Sequence, residues 1–243
     1  MSMQAIILAA GKGTRMGNLT ADIPKPMLPL LGKPLLEWRL AMLPETITEV
    51  LFVVGYLGNQ IETYFGNEWQ GRKIHYVRHE QLDGTGGAMR SVHEAGLFRD
   101  RALVMNGDDL YSREDVENLL THDTAVLACE TEDSSRFGIL DTDREGRLKG
   151  IIERPHAPGP GLVNTGAYML DQRYFLYAPV RISETEYGLP QTLALLAQDQ
   201  PVSVLRTHIW QPVSQPDDIP FGEAFIKEYE IGHPECFLAA SKS

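Results

Sequence analysis

The chain has 243 residues, of which 43% are hydrophobic, and its formal net charge is -11. A length and composition of this kind are typical of one large globular α/β domain. The acidic balance argues against nucleic acid as a partner. No stretch approaches the ~18 apolar residues of a membrane span, and the N-terminus lacks the plan of a signal peptide, so we expect a cytoplasmic protein with no membrane contact.

Apolar runs of strand length alternate with helical stretches through the first half of the chain. The predicted strands are Gln4–Leu8, Val50–Val54, Ile74–Val77, Ala102–Met105 and Ala125–Cys129, and the predicted helices are Pro34–Leu43, Gln60–Phe65, Gly87–Ala95 and Ser112–Thr121. This alternation predicts a Rossmann-like, three-layer α/β/α fold with a mixed, mostly parallel sheet. Ligands bind at the carboxyl ends of such strands, so the loops that follow them should meet in one crevice.

The second half of the chain has a different character. Phe137–Leu140 and Arg147–Ile152 are predicted to form a β-hairpin, and the Pro- and Gly-rich run Ala157–Gly161 is predicted to be a surface loop. A C-terminal helix is predicted from Asp217 onward. We expect a single domain over residues 1–243, with one half at about 1–130, a second at about 131–220 and a helical tail at about 217–243.

The most informative stretch, Leu8–Lys25, places a glycine-rich turn directly after the first strand. Gly11 and Gly13 leave backbone N–H groups free to close on an anion. Its three cations are Lys12, Arg15 and Lys25. The spacing fits neither the dinucleotide pattern G-x-G-x-x-G nor a Walker A loop. Two cations inside the loop are unusual for a purely structural turn, so we predict a phosphate-binding loop for a nucleoside triphosphate.

The same stretch resembles the signature of the sugar-1-phosphate nucleotidyltransferases, L-A-A-G-x-G-T-R-(M/L) followed by P-K-(P/Q)-(M/L). Further motifs of that family follow in the expected order, at Leu82–Ala88, Val104–Asp109, Phe137–Gly138, Ile152–Pro155 and Val163–Gly166. The resemblance covers most of the chain from residue 4 to about 220. It implies the reaction of the family, in which the phosphate of a sugar 1-phosphate attacks the α-phosphorus of a nucleoside triphosphate, UTP or dTTP by expectation, and pyrophosphate leaves.

The resemblance also implies the catalytic residues. Arg15 and the loop backbone would bind the β- and γ-phosphates, and Lys25 would neutralise the α-phosphate and the sugar phosphate. Asp108 would hold Mg²⁺ between the reacting phosphates. Arg154 stands where the family usually carries lysine against the sugar phosphate, which keeps the charge but changes its hydrogen-bond geometry.

Binding residues implied by the motifs fall into a phosphate group, a base group and a sugar group. They are Leu8, Ala9, Ala10, Gly11, Gly13 and Thr14, then His79, Gly84 and Thr85, then Gly138, Glu153 and Asn164. His79 falls where uridylyl and thymidylyl enzymes often have glutamine, so the nucleobase stays open. Glu153 could instead be a surface charge, and Asn164–Gly166 could be only a turn. Asp109 could contact nucleotide or simply shape the turn into a helix capped by Ser112.

One motif departs from the family pattern. Where relatives read W-x-D-(V/I)-G-(T/D)-P, this chain reads Trp210–Pro216, with Pro212 in place of the aspartate that completes the metal site. An active enzyme is favoured, because Arg15, Lys25 and Asp108 are all present. The alternative is a catalytically impaired homologue that binds a sugar nucleotide as a sensor or partner subunit. Asp217 and Asp218 lie nearby, but only a shift in register would bring either into the site.

A nicotinamide-dependent oxidoreductase would also begin with a strand and a glycine turn. It would need an acidic residue at the end of the second strand, which here ends Val54-Gly55-Tyr56. We therefore expect a nucleoside triphosphate and a sugar 1-phosphate as the partners, and the sequence leaves the oligomeric state open. Cys129 and Cys236 are far apart without metal spacing and are expected to be free thiols.

Overall fold

The structure is a computed structural model that describes residues 3–153 and 159–233. Its strands are β1 Met3–Ala9, β2 Pro29–Leu30, β3 Lys33–Pro34, β4 Ile47–Val54, β5 Glu68–Trp69, β6 Arg72–Arg78, β7 Arg101–Asn106, β8 Asp109–Tyr111, β9 Ala125–Thr131, β10 Ile139–Thr142, β11 Leu148–Ile152, β12 Gly161–Asp171, β13 Val180–Arg181, β14 Tyr187–Gly188, β15 Ser203–Thr207 and β16 Trp210–Pro212. Its α-helices are α1 Leu35–Ala41, α2 Gly58–Phe65, α3 Gly84–Glu94, α4 Arg113–Leu120, α5 Leu189–Asp199 and α6 Ile219–Gly232. Short 3-10 segments lie at Thr14–Thr20, Lys25–Met27, Gln172–Leu176 and Pro216–Asp218.

A ten-stranded sheet forms the centre of the molecule. Across it the main strands follow the order β6, β4, β1, β7, β12, β9, β15. The first four are parallel, whereas β12 runs antiparallel to both of its neighbours and β15 runs parallel to β9. The predicted mixed α/β sheet is confirmed, with its parallel part in the first half of the chain.

Helices cover both faces of this sheet. In β1, Ala5 and Ile7 belong to a core cluster with residues of α1 and α2. Ile6, on the opposite face, belongs to a second cluster with residues of α3 and α5. A strand buried on both faces must be apolar at successive positions, which is why the sequence shows a continuous apolar run instead of alternation.

The predicted elements are present, and their ends differ by a few residues. The helix predicted from Gly87 begins at Gly84, and the strand predicted from Val50 begins at Ile47. The predicted hairpin is the antiparallel pair β10 and β11. Ser112 caps α4, since its side chain accepts a hydrogen bond from the backbone N–H of Asp115.

The predicted C-terminal helix is partly buried. In α6, Gly222, Ile226 and Tyr229 are buried, and the last two join a small core cluster with residues of α1. The residues after 233 lie outside the described range, as do residues 157 and 158 of the predicted loop. Within the described residues, no helix combines the length and the apolar character needed to cross a membrane.

Candidate active site

The site begins where two neighbouring parallel strands end. Leu8 of β1 is paired with Asn106 of β7, and the N–H of Gly107 donates to the Leu8 carbonyl at 3.0 Å. A Cβ at position 107 would lie 3.0 Å from that carbonyl oxygen, so the close approach favours glycine. This register brings the loop after β1 and Asp108 to the same edge of the sheet.

The loop after β1 is shaped by Gly13. Its φ of +65° lies in the left-handed region, and a Cβ there would be 2.9 Å from Cβ of Lys25. The Gly13 carbonyl accepts from the Met16 N–H at 2.9 Å and from the Thr20 hydroxyl at 3.1 Å. Arg15 is exposed, and the described residues give it no ion pair or hydrogen bond. Its guanidinium is therefore available to an incoming anion.

Lys25 is buried and forms an ion pair with Asp108. Its Nζ donates to Oδ2 of Asp108, and the two side chains are 7% and 25% exposed. Pro24 holds an extended conformation before Lys25, and Pro26 follows it in a short 3-10 turn. The flanking prolines thus fix the backbone from which the ammonium group reaches the end of β7.

Two joined cavities open at this edge. The larger, of about 720 Å³, is lined by Leu8, Ala9, Ala10, Gly11, Lys12, Gly13, Thr14, Arg15, Lys25, His79, Gly84, Thr85 and Asp108, among others. The smaller, of about 300 Å³, is lined by Arg15, Gly84, Thr85, Asp108, Gly138, Glu153 and Asn164, together with residues not predicted from the sequence. Asp108 and Arg15 lie in both linings, at the junction.

His79 lies at the rear of the larger cavity and is 3% exposed. Its Nδ1 is 3.0 Å from the Ser91 hydroxyl, and its Nε2 is 3.1 Å from Oδ1 of Asp83, without hydrogen-bond alignment. Burial lowers the pKa of His79, with Asp83 opposing that effect. The imidazole is therefore neutral at pH 7, and because it is buried it offers little surface to a base.

Asp109 differs sharply from Asp108. It is buried beside Asn106, whose amide donates to its Oδ2 at 3.3 Å. Burial, followed by the negative charge of Asp108, raises the pKa of Asp109 to about 8. Asp109 belongs to β8 and so does not shape the turn into α4. It lines the smaller cavity beside Asp108.

Pro212 lies directly opposite Asp109, because β16 pairs with β8. It lines the smaller cavity without a side-chain donor, as the sequence indicated. Asp218 does not replace it: both of its oxygens are engaged by Arg136, at 3.1 and 2.6 Å, and Oδ2 also accepts from the Ser214 and Gln215 N–H groups. The described residues contain no cluster of three or more His, Cys, Asp or Glu suited to a metal ion.

A divalent ion nevertheless fits the donors present. Mg²⁺ retains several waters and is commonly held by one or two carboxylates together with substrate phosphates. Asp108 supplies one partly exposed carboxylate at the junction of the cavities, within reach of a ligand in either. This donor set suits an ion that arrives with the nucleotide, not one held by protein ligands alone.

Asn164 and Gly166 form a kink within β12 and not a free turn. The Asn164 amide donates to the Tyr168 hydroxyl at 2.7 Å, and its oxygen accepts from the Gly166 N–H at 3.1 Å. Gly166 has a φ of +81°, and a Cβ there would be 2.1 Å from Nδ2 of Asn106. The kink leaves space for the Asn106 side chain, which lines both cavities.

The structure thus gathers the predicted site residues that it describes, while Arg154 lies outside the described residues. Lining residues of the smaller cavity that the sequence did not indicate include Arg136, Tyr168, Glu186 and Gln191. Glu186 and Gln191 come from the β13–β14 hairpin and α5, where the Tyr187 N–H donates to the Asp83 carbonyl at 2.7 Å. Pro190, in the first turn of α5, is a sequence signal for the start of a helix, but it does not indicate that Gln191 lines a site.

The chain belongs to the nucleotidyl transferase family, whose model it matches over residues 4–227. It is 33% identical over 220 residues to the Bifunctional protein GlmU of Methanocaldococcus jannaschii, covering 89% of this chain and 52% of that relative. The chain therefore spans about half the length of such relatives. It is 34% identical over 175 residues to the D-glycero-alpha-D-manno-heptose 1-phosphate guanylyltransferase of Campylobacter jejuni, covering 71% of this chain and 78% of that one.

Solved structures support the same fold. The crystal structure of a putative glucose-1-phosphate thymidylyltransferase from Bacillus anthracis superposes with a TM-score of 0.82, covering 93% of this chain and 96% of that chain at 21% identity. The family resemblance identified from the motifs is confirmed.

Proposed function

We propose that the protein transfers a nucleotidyl group from a nucleoside triphosphate to a sugar 1-phosphate, releasing pyrophosphate. The observation that carries the proposal is the junction of the two cavities, where Asp108 and Arg15 line both and Lys25 pairs with Asp108. A triphosphate in the larger cavity and a sugar phosphate in the smaller one would bring their phosphates together there. Membership of the family supports this assignment.

The chemistry that these residues can supply is electrostatic. A phosphate monoester has a second pKa of ~6, so the attacking group is already mostly dianionic at pH 7 and needs no general base. What opposes the reaction is the approach of two polyanions and the charge that develops on the leaving group. Lys25 would neutralise the reacting phosphates, while the exposed Arg15 and the Gly11–Thr14 backbone would hold the departing pyrophosphate.

Asp108 would hold Mg²⁺, which when bound would supply further positive charge between the phosphates. The sugar would contact Gly138, Glu153 and Asn164, all in the lining of the smaller cavity. Arg154 is proposed to contact the sugar phosphate. We further propose a cytoplasmic enzyme, because nucleoside triphosphates and sugar phosphates are soluble metabolites of that compartment.

The proposed nucleotide is UTP or dTTP, as the motifs imply. GTP is the competitor, because one relative is named a guanylyltransferase. Because His79 is buried and its Nδ1 is hydrogen-bonded to Ser91, selection of the base would fall on the Leu82–Thr85 loop and the backbone after β1.

Pyrophosphate release across a matrix of five nucleoside triphosphates and several sugar 1-phosphates, with and without Mg²⁺, tests the proposal. At least one pair should turn over with Mg²⁺, and Lys25→Ala should abolish that turnover. Lys33→Ala is the matched control, because it removes an ion-paired lysine outside both cavities. Melting temperatures of both variants separate lost chemistry from lost folding.

The same matrix tests the alternative raised by Pro212. If no pair turns over while a sugar nucleotide still binds, the protein is a binding homologue and the proposed activity is wrong. Pro212→Asp would then be expected to restore activity if the missing ligand is the cause.

A further inference from the structure

The wall of the smaller cavity holds a pair of side chains of which only one, Glu153, was indicated by a family motif. Nε2 of Gln191, in the first turn of α5, donates to Oε2 of Glu153, just after β11, at 2.9 Å. Both residues line the cavity. Glu153 is otherwise exposed, and among the described residues this is the only hydrogen bond that its carboxylate forms.

Two glycines make space for this pair. A Cβ at Gly188 would lie 1.7 Å from Oε1 of Gln191, and a Cβ at Gly138 would lie 3.1 Å from Oε2 of Glu153. The backbone of Gly188, with φ of -100° and ψ of 125°, is in a region that any residue adopts. A Cβ at 188 would therefore displace the Gln191 side chain without straining the backbone.

Packing alone does not explain glutamine at position 191. Its Oε1 is buried and has no hydrogen-bond donor within the described part of the chain. Burying an unpaired carbonyl is unfavourable, so an apolar side chain would suit this position better if stability were its only role. The amide nitrogen, in contrast, has a defined partner at good distance.

We propose that Gln191 is a positioning residue for the sugar: it holds Glu153 by one carboxylate oxygen and leaves the other to accept hydrogen bonds from sugar hydroxyls. This inference rests on the proposed function. It also defines a substrate class: Asp108 and Glu186 line the same cavity, the guanidinium of Arg136 is already paired with Asp218, and the remaining cation of the described lining, Arg15, is assigned to the pyrophosphate. Such a surface suits a sugar with free hydroxyls and disfavours one that carries a carboxylate.

Steady-state kinetics of Gln191→Ala and Gly188→Ala test the positioning role. Losing an oriented, charged acceptor should raise KM for the sugar 1-phosphate by roughly tenfold or more, since hydrogen bonds to charged groups are among the stronger ones. KM for the nucleoside triphosphate should stay unchanged. Gly188→Ala keeps the glutamine but displaces it, so both substitutions disturb the same contact. KM for the sugar 1-phosphate should therefore be no higher in the double variant than in either single variant.

Gln200→Ala is the matched control, because Gln200 directly follows the same helix and lies outside the cavity lining. Within the described residues its side chain bonds only to Arg173, at 3.2 Å. This substitution should change neither KM. Equal rises in both KM values, or unchanged sugar KM in Gln191→Ala, would overturn the inference. A crystal structure of Gly188→Ala that keeps the contact between Gln191 and Glu153 would also overturn it.

Binding measurements separate this inference from the proposed function. Glucose 1-phosphate, N-acetylglucosamine 1-phosphate and glucuronic acid 1-phosphate are tested for thermal protection of the wild type and of Gln191→Ala. A wild type without turnover refutes the proposed function, yet sugar-phosphate protection that is lost in Gln191→Ala still supports the inference. Three results contradict the inference: equal protection of both proteins, no protection of the wild type, or protection that is strongest with glucuronic acid 1-phosphate.

Discussion

The ion pair between Lys25 and Asp108 should contribute measurably to the stability of the ligand-free protein. Two unit charges 4 Å apart attract by about 4 kcal/mol at an effective dielectric constant of 20. Desolvation offsets part of that attraction, because the Lys25 side chain is only 7% exposed, whereas Asp108 is 25% exposed and retains some water. We therefore expect a net coupling free energy of roughly 1–3 kcal/mol, above the 0.2–1 kcal/mol of exposed pairs.

A double-mutant cycle in urea unfolding measures this coupling, using Lys25→Met, Asp108→Asn and the double variant. The exposed pair of Lys149 and Asp141, at 3.0 Å with side chains 57% and 52% exposed, gives the reference cycle. The coupling of this exposed pair should be about 0.2–1 kcal/mol and should fall as salt is raised, while the coupling of Lys25 with Asp108 should change less. A coupling for Lys25 and Asp108 no larger than the reference would refute the reasoning.

Further predictions follow from single contacts. Ser112→Ala removes the N-cap bond to the Asp115 N–H and should lower the free energy of unfolding by about 1 kcal/mol, as read from urea midpoints. Gly166→Ala should cost at least about 1–3 kcal/mol and raise KM for both substrates, because its Cβ would displace Asn106; wild-type stability in this variant would contradict the kink geometry. Partial burial would raise the pKa of Asp218, but hydrogen bonds from the Arg136 guanidinium and the backbone hold it below the ordinary 3.8. The wild type should thus be more stable than Asp218→Asn at pH 7, and this difference should shrink as pH falls below 3.8; a difference independent of pH would refute the assignment.

The parts of the molecule that could be predicted from the sequence are those set by local pattern. A strand buried on both faces is continuously apolar, and the loop after β1 needs its glycines and cations within a few residues of one another. The loop after β1, Asp108 and seven strands of the ten-stranded sheet were therefore predictable to within a few residues.

The parts that could not be predicted depend on long-range pairing. Asp109 is buried because β16 pairs with β8 and places Pro212 opposite it, a contact that spans about a hundred residues of chain. Gln191 reaches Glu153 from a different helix. Arg39 interrupts the apolar pattern of α1, yet it is 1% exposed and lies over the Tyr111 ring at 4.2 Å. No local pattern encodes such partners.

The shared lining of the two cavities has a consequence for whatever occupies both of them. Asn106, Glu186 and Ser214 border each cavity, so one covalently continuous molecule can extend from one into the other. Such a molecule loses its translational and rotational freedom once, whereas two separate molecules lose it twice. A linked nucleotide and sugar should therefore dissociate more slowly than either fragment, which would make departure of the joined species the step that limits turnover.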